Sequence, residues 1–221
     1  DREILSETFT IGLPALGTTF VSCFGYIAFA RMVSGMGTTI FAAHSIAITA
    51  EQIVYIPGYG LRVATSTLVG NALGEKDIRK LKATERVSIL ITLLIMVVNG
   101  IGLYLFAYPF MRLFTNSVNA ARIGSEMLRL VSFSEPFFGL MIVLEGISYG
   151  MGRTKHVFAC EAVSMWGIRI FGTFLCVNVF GLGLKAVWLC MIADNICKAI
   201  LLYIFRPKHV EENADDRGEL R

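Results

Sequence analysis

The sequence is short of charge, of paired cysteines and of any motif that carries a reaction. Asp, Glu, Lys and Arg make up only 17% of the 221 residues, against about 25% in an ordinary soluble domain. The formal net charge of +3 is too small for a nucleic-acid binder. One basic cluster, Lys76, Arg79, Lys80, Lys82 and Arg86, has no aromatic platform beside it and reads as a cytoplasmic loop. The five cysteines, Cys23, Cys160, Cys176, Cys190 and Cys197, include no C-x-x-C pair. They lie in apolar stretches and read as small buried hydrophobes, not as zinc ligands or a disulfide framework. His44, His156 and His209 are scattered, so no metal site is expected. H-E-x-x-H and Asp-rich metal motifs are missing, and no enzymatic activity or cofactor is expected. Gly70 to Lys76 fails as a phosphate loop, because two glycines four apart followed by Glu75 do not match G-x-x-x-x-G-K-[ST]. With no initiator Met and no signal-peptide pattern, the chain reads as a segment of something longer.

What the sequence has is hydrophobic length. Apolar residues make up 55% of it, and its mean hydropathy is +0.64. Thr8 to Ala30 and Val87 to Met111 contain no charged residue. Each is long enough to cross a hydrocarbon core of about 30 Å at about 1.5 Å per helical residue. The fold class is therefore all-α, a polytopic integral membrane protein surrounded by lipid. Six transmembrane helices are expected over residues 7–34, 38–74, 87–111, 120–149, 157–181 and 186–205, within a unit spanning 1–208. Residues 209–221 form a polar tail.

Six spans place both termini on one side. That side would hold Arg2, Lys76, Arg79, Lys80, Lys82, Arg86, Arg153, Lys155, Arg206, Lys208, Arg217 and Arg221. The other would hold only Arg31, Arg112, Arg122 and Lys185. The positive-inside rule assigns the richer side to the cytoplasm.

The stretch PGYGLRVATSTLVGNALGEKD, residues 57–77, organises the second span. Pro57 removes an amide donor and Gly58 and Gly60 loosen the backbone, which predicts a kink or interruption. Ser66, Gly70 and Gly74 recur every four residues and make a smooth stripe for close helix packing; Gly146 and Gly150 make a second pair.

Charges inside apolar spans cost about 2.5–3.5 kcal/mol each on insertion scales and face a cavity or a partner. Glu51 stands just beyond mid-depth, with Tyr55 one turn along the same face and His44 two turns back. Glu135 stands at mid-depth beside Pro136. A carboxyl group removed from water favours its neutral form, so such residues serve as proton carriers. Both are candidates for binding a coupling cation or proton; the other reading makes them structural partners of Arg62, Arg129 or Arg169. Asp194 and Lys198, four apart with the acid first, read as an ion pair within one helix. Arg169 needs a carboxylate, with Glu161, Glu135 and Glu145 as candidates. Tyr55, Arg62, Phe138 and Arg169 are the residues expected at a substrate cavity. Phe24, Tyr26, Phe29, Phe137, Tyr149 and Trp166 either line it through cation–π contacts or pack against lipid and neighbours.

Three stretches carry a resemblance: ATSTLVGNALGEKD, IGLPAL at 11–16 and GISYGMGRTKH at 146–156. Together with the helix spacing, they resemble the MATE family (multidrug and toxic compound extrusion transporters). The resemblance runs from about Glu7 to Lys208, corresponds to one six-helix lobe and fits the C-terminal lobe best. It implies a two-lobe secondary antiporter of the cell membrane, with a second six-helix lobe as partner. Such a protein exports amphipathic or cationic drugs in exchange for H⁺ or Na⁺ by alternating access. The alternative is a flippase for lipid-linked saccharides of the same superfamily, whose cavity would carry cationic residues for phosphate. Two departures stand out. Arg153 occupies the place of an acidic residue in the family's G-x-G-D-T loop, and LGTTFVSCFG in the first span has no acid where some relatives do. The second departure moves the coupling role onto Glu51, Glu135 or the other lobe. The topology has a direct check: single cysteines placed at Lys80 and at Asn119 should be labelled from opposite sides of the membrane, and labelling from one side would overturn it.

Overall fold

Hydrocarbon offers no partner for an open N–H or C=O, so each apolar stretch must close its backbone hydrogen bonds within itself. The computed structural model describes residues 2–205, and the polar tail expected over 209–221 lies outside them. The described chain is helical almost throughout: α1 (Arg2–Ser34), α2 (Thr38–Gly74), α3 (Ile78–Phe114), α4 (Val118–Ser132), α5 (Glu135–Gly150), α6 (Thr154–Ser164), the short α7 (Phe171–Phe174) and α8 (Leu184–Ile204). The chain winds as a π-helix over Met165–Ile170 and again over Leu175–Val179. Among the described residues, five stretches are long and apolar enough to cross a membrane: Thr8–Ser34, α2, α3, Thr154–Val179 and α8. α4 and α5 meet the same test together, bent by 61°, and bring the number to six when the bent pair is counted as one span.

Three local features differ from the sequence expectation, each for a physical reason. The third helix begins at Ile78, well before residue 87. The Asp77 side chain caps it by accepting the Lys80 backbone N–H at 2.9 Å, and the basic residues that follow are good helix formers. Arg79, Lys80, Lys82 and Arg86 therefore ride on a helical extension instead of a loop. Secondly, α2 continues through Pro57 without interruption. A proline ring crowds the carbonyls of the preceding turn, and Asn99 on α3 donates to one of them, Val54 O, at 3.1 Å. Thirdly, the fourth span does break, between Ser132 and Glu135. Pro136 cannot supply the amide that Ser132 O would otherwise accept. α3 closes over that carbonyl at Gly100, where a Cβ would lie only 2.7 Å from Ser132 O.

The helices pack around two apolar clusters. One gathers Ala47, Ala50, Leu103, Met111, Leu128, Val131, Val187 and Trp188. The other gathers Tyr55, Val69, Met96, Phe138, Ile142, Ala199 and Leu202. Along α2, α4–α5 and α8 the first cluster gives way to the second at Glu51, Glu135 and Asp194–Lys198. A polar layer thus divides the apolar core.

Below that layer α2 and α5 cross at the glycines. A Cβ at Gly146 would lie 2.7 Å from Arg62 O, one at Gly150 would lie 2.5 Å from Ser66 O, and one at Gly70 would lie 3.5 Å from Gly150 O. Gly74 departs from the expected stripe: it has nothing within 4 Å, because α2 ends there beyond the crossing. Gly150→Ala should destabilise the folded protein by about 1–3 kcal/mol, the range for overpacking, despite alanine's better helix propensity. Gly74→Ala should be neutral or stabilising. Thermal melting of the detergent-purified protein measures both.

Candidate functional site

Helices α1, α2, α5 and α8 and the first π-helical stretch surround a cavity of about 420 Å³. Tyr26, Phe29, Tyr55, Tyr59 and Phe138 give it aromatic walls, and Glu51, Gln52, His44, Arg169 and Asn195 give it polar ones. Helical spacing on α2 brings His44, Ser45, Ile48, Glu51, Gln52, Tyr55 and Tyr59 to the same wall. His44 Nδ1 accepts from Trp188 Nε1 at 3.2 Å, which ties α2 to α8 beside the cavity.

Glu51 is buried, and the Tyr55 hydroxyl donates to its Oε1 at 2.5 Å. The Tyr55 ring stacks on Phe138 with centroids 3.7 Å apart, which fixes the hydroxyl's direction. Glu135 lies off the cavity wall, fully buried in the first turn of α5. Neither of its carboxyl oxygens has a hydrogen-bond partner among the described residues. The positive end of the α5 dipole is its nearest compensation.

Three ion pairs hold the remaining charge of this layer. Arg169 Nε lies 2.8 Å from Asp194 Oδ2, and its Nη2 donates to Asn195 Oδ1 at 3.2 Å. Ser164 Oγ also donates to Asp194. Lys198 pairs with Glu161, whose Oε1 accepts from Ser22 Oγ at 2.5 Å. Arg62 Nη1 lies 3.1 Å from Glu145 Oε2. The Arg169 guanidinium stands over the Tyr26 and Phe29 rings, 5.4 and 5.8 Å from their centroids. Arg169 sits in a π-helical turn, a form frequent at functional sites, where one extra residue re-aims a side chain.

The structure rearranges several expectations. Asp194 and Lys198 act on each other through space but form their close ion pairs elsewhere. They share one face of α8, and that face meets Arg169 and Glu161 on the preceding span, so two cross-span pairs satisfy four charges that one intrahelical pair would leave half met. Arg169 accordingly takes Asp194, not Glu161, Glu135 or Glu145. Tyr55, Phe138 and Arg169 line the cavity, whereas Arg62 does not, since Glu145 draws it aside and its guanidinium covers Tyr59 at 5.3 Å. Of the other aromatics, Tyr26 and Phe29 line the cavity; Phe24, Phe137 and Trp166 are exposed on the surface of this chain, and Tyr149 lies away from the cavity. Among the cysteines only Cys160 is buried; Cys23 is exposed and Cys176, Cys190 and Cys197 are half-buried. Asn195, Ser22, Ser164 and Asn99 had passed unnoticed. Their signal was a neutral polar side chain within an apolar span. Among the described residues no three His, Cys, Asp or Glu side chains gather as a metal site.

Known proteins share this architecture. The chain is 30% identical over 201 residues to "Probable multidrug resistance protein NorM" of Thermotoga maritima, covering 90% of this chain and 43% of that protein. It is 26% identical over 165 residues to "Multidrug resistance protein NorM" of Aliivibrio fischeri, covering 75% and 36%. A crystal structure of MATE in the bent conformation superposes with a TM-score of 0.89 at 19% identity, covering 98% of this chain and 48% of that one. A MOP superfamily transporter from Pyrococcus furiosus superposes with a TM-score of 0.86 at 21% identity, over 96% and 48%. The chain thus spans about half the length of the relatives it matches. The MatE family model matches residues 14–175, from the first span to the second π-helical stretch, and the chain belongs to that family.

Proposed function

We propose that this chain forms one lobe of a two-lobe secondary antiporter in the cell membrane, with both ends of the segment cytoplasmic. The antiporter exports amphipathic, often cationic compounds in exchange for H⁺ or Na⁺ by alternating access. Family membership, the relatives' names and a lobe-sized match support this reading. The observation that carries it is a charge imbalance at the cavity. Around it, Arg62, Arg169 and Lys198 are each held by one carboxylate, those of Glu145, Asp194 and Glu161. Glu51 and Glu135 form no close ion pair among the described residues, and Arg169, which shares the cavity with Glu51, is already bound to Asp194.

Two buried carboxyl groups without a fixed counter-charge need a mobile one, either a proton or a small cation. Glu51 lies on the cavity wall with Tyr55 orienting it, so it can exchange that charge with the cavity. The absence of an amide at Pro57 leaves the Ile53 carbonyl without its usual helical donor, one turn from Glu51, and supplies a further oxygen for a cation. A cationic substrate and the coupling ion would then compete for one negative site between aromatic walls, which is the condition for exchange. Glu135, behind the wall, is the second carrier. The flippase reading needs free cations in the cavity for phosphate. Arg62, Arg169 and Lys198 are each engaged by a carboxylate, which favours the antiporter.

In the full-length protein, Glu51→Gln should leave the folded amount near normal, since shape is kept and a buried charge is removed. Export driven by an ion gradient should fall to the passive leak rate, and Glu135→Gln should have a smaller effect. Export by Glu51→Gln at the wild-type rate across the pH range, with Glu135→Gln impaired, would reverse the assignment. Loss of folded Glu51→Gln protein would assign Glu51 a structural role.

A further inference from the structure

Beyond the cavity, the span of residues 154–179 and α8 continue to face each other toward the turn that joins them. Cys176 and Cys190 stand at that end. Their Sγ atoms are 3.7 Å apart, and both residues are half-buried. We propose that these two thiols are a redox-reversible dithiol site, closing to a disulfide that staples the outer end of the seam held further in by Arg169 and Asp194.

The geometry supports closure. A disulfide needs the two Cβ atoms about 3.5–4.5 Å apart and the backbones correspondingly close. Gly172, one turn before Cys176 on the same face, shows how near they come: a Cβ there would lie 3.8 Å from Cys190 Cβ and 3.3 Å from its Sγ. Cys176 belongs to the second π-helical stretch, whose looser winding leaves room for its side chain to turn. Both thiols also sit within one short hairpin of spans, which keeps them at high mutual concentration. Cys190 is one helical turn from Asp194, and Cys176 is two turns from Arg169. The disulfide would therefore hold the same two segments as the buried ion pair.

The chemistry is thiol–disulfide exchange with a small disulfide, R–S–S–R, as oxidant. One cysteine, as its thiolate, attacks a sulfur of the oxidant and expels R–S⁻, giving a mixed disulfide on the protein. The second cysteine then attacks the protein-bound sulfur and expels a second R–S⁻. The two protons released by the cysteines end on the two R–SH products. Two electrons pass from the pair to the oxidant.

The test uses the full-length protein in membranes, in a Cys197→Ser background, treated with 4,4′-dithiodipyridine and then alkylated and digested with trypsin without reductant. Cleavage after Lys185 separates the two cysteines, so the bond reads as the Ile170–Lys185 peptide joined to the Ala186–Lys198 peptide. The joined pair should form in preference to mixed pyridyl adducts, disappear with dithiothreitol, and be missing from Cys176→Ser and from Cys190→Ser. Cys23→Ser should leave it unchanged. Recovery of Cys176 and Cys190 only as separate pyridylated or alkylated peptides would overturn the proposal, as would either cysteine joined mainly to another partner.

Discussion

Arg169 places a guanidinium inside the lobe with almost no exposed surface, and the architecture around it follows from that charge. A cation removed from water is tolerated only with a close anion and satisfied donors. Asp194 supplies the anion from α8, Asn195 takes a further N–H, and Tyr26 and Phe29 offer ring faces. The pairing sets how α8 lies against the π-helical turn before it. With Asp194 so engaged, Lys198 turns to Glu161, and Ser22 brings α1 into the same set of contacts. Four charges and two hydroxyls thus join three spans across a layer that apolar packing alone would leave unspecified.

The two apolar clusters on either side of this layer supply apolar burial, and Tyr55 and Phe138 carry the second of them into the cavity wall. The candidate site lies where they separate. At that level α2 carries Glu51, α5 begins with Glu135, and the cavity opens between aromatic faces. The glycine crossing of α2 and α5 and the closure of α3 over the Ser132 carbonyl keep those two carboxyl groups in helices that cannot easily drift apart. Under the proposed antiport, such a lobe would rock as a body while these carboxyl groups exchange a small cation.

Much of the fold was legible because hydrophobic length is a one-dimensional property. The charge-free run from Val87 to Met111 announces a membrane helix without reference to any neighbour. The break at Glu135–Pro136 was marked only by its proline, and Pro57 carries the same mark in a helix that runs on without interruption. The partners of the buried charges were not legible. Asp194 and Lys198 satisfy the spacing rule for an intrahelical pair, but that rule is silent about Arg169 and Glu161 on the facing span. Arg62 was placed at the cavity by its depth, whereas Glu145 decides its direction. The π-helical turns that aim Arg169 follow from packing against α8 and carry no local sequence mark. Cys176 and Cys190 read as ordinary apolar fillers until their helices are set side by side.

The most direct test of this cross-span neutralisation is a pair of double-mutant cycles on unfolding stability. Arg169→Gln and Asp194→Asn should each cost about 3–5 kcal/mol, the range for stranding one partner of a buried pair, and the double variant should recover most of that loss. The matched cycle of Asp194→Asn with Lys198→Gln should couple less strongly, since these two charges act on each other through space without a close ion pair. Strong coupling in the Asp194–Lys198 cycle with additivity in the Arg169–Asp194 cycle would contradict the account.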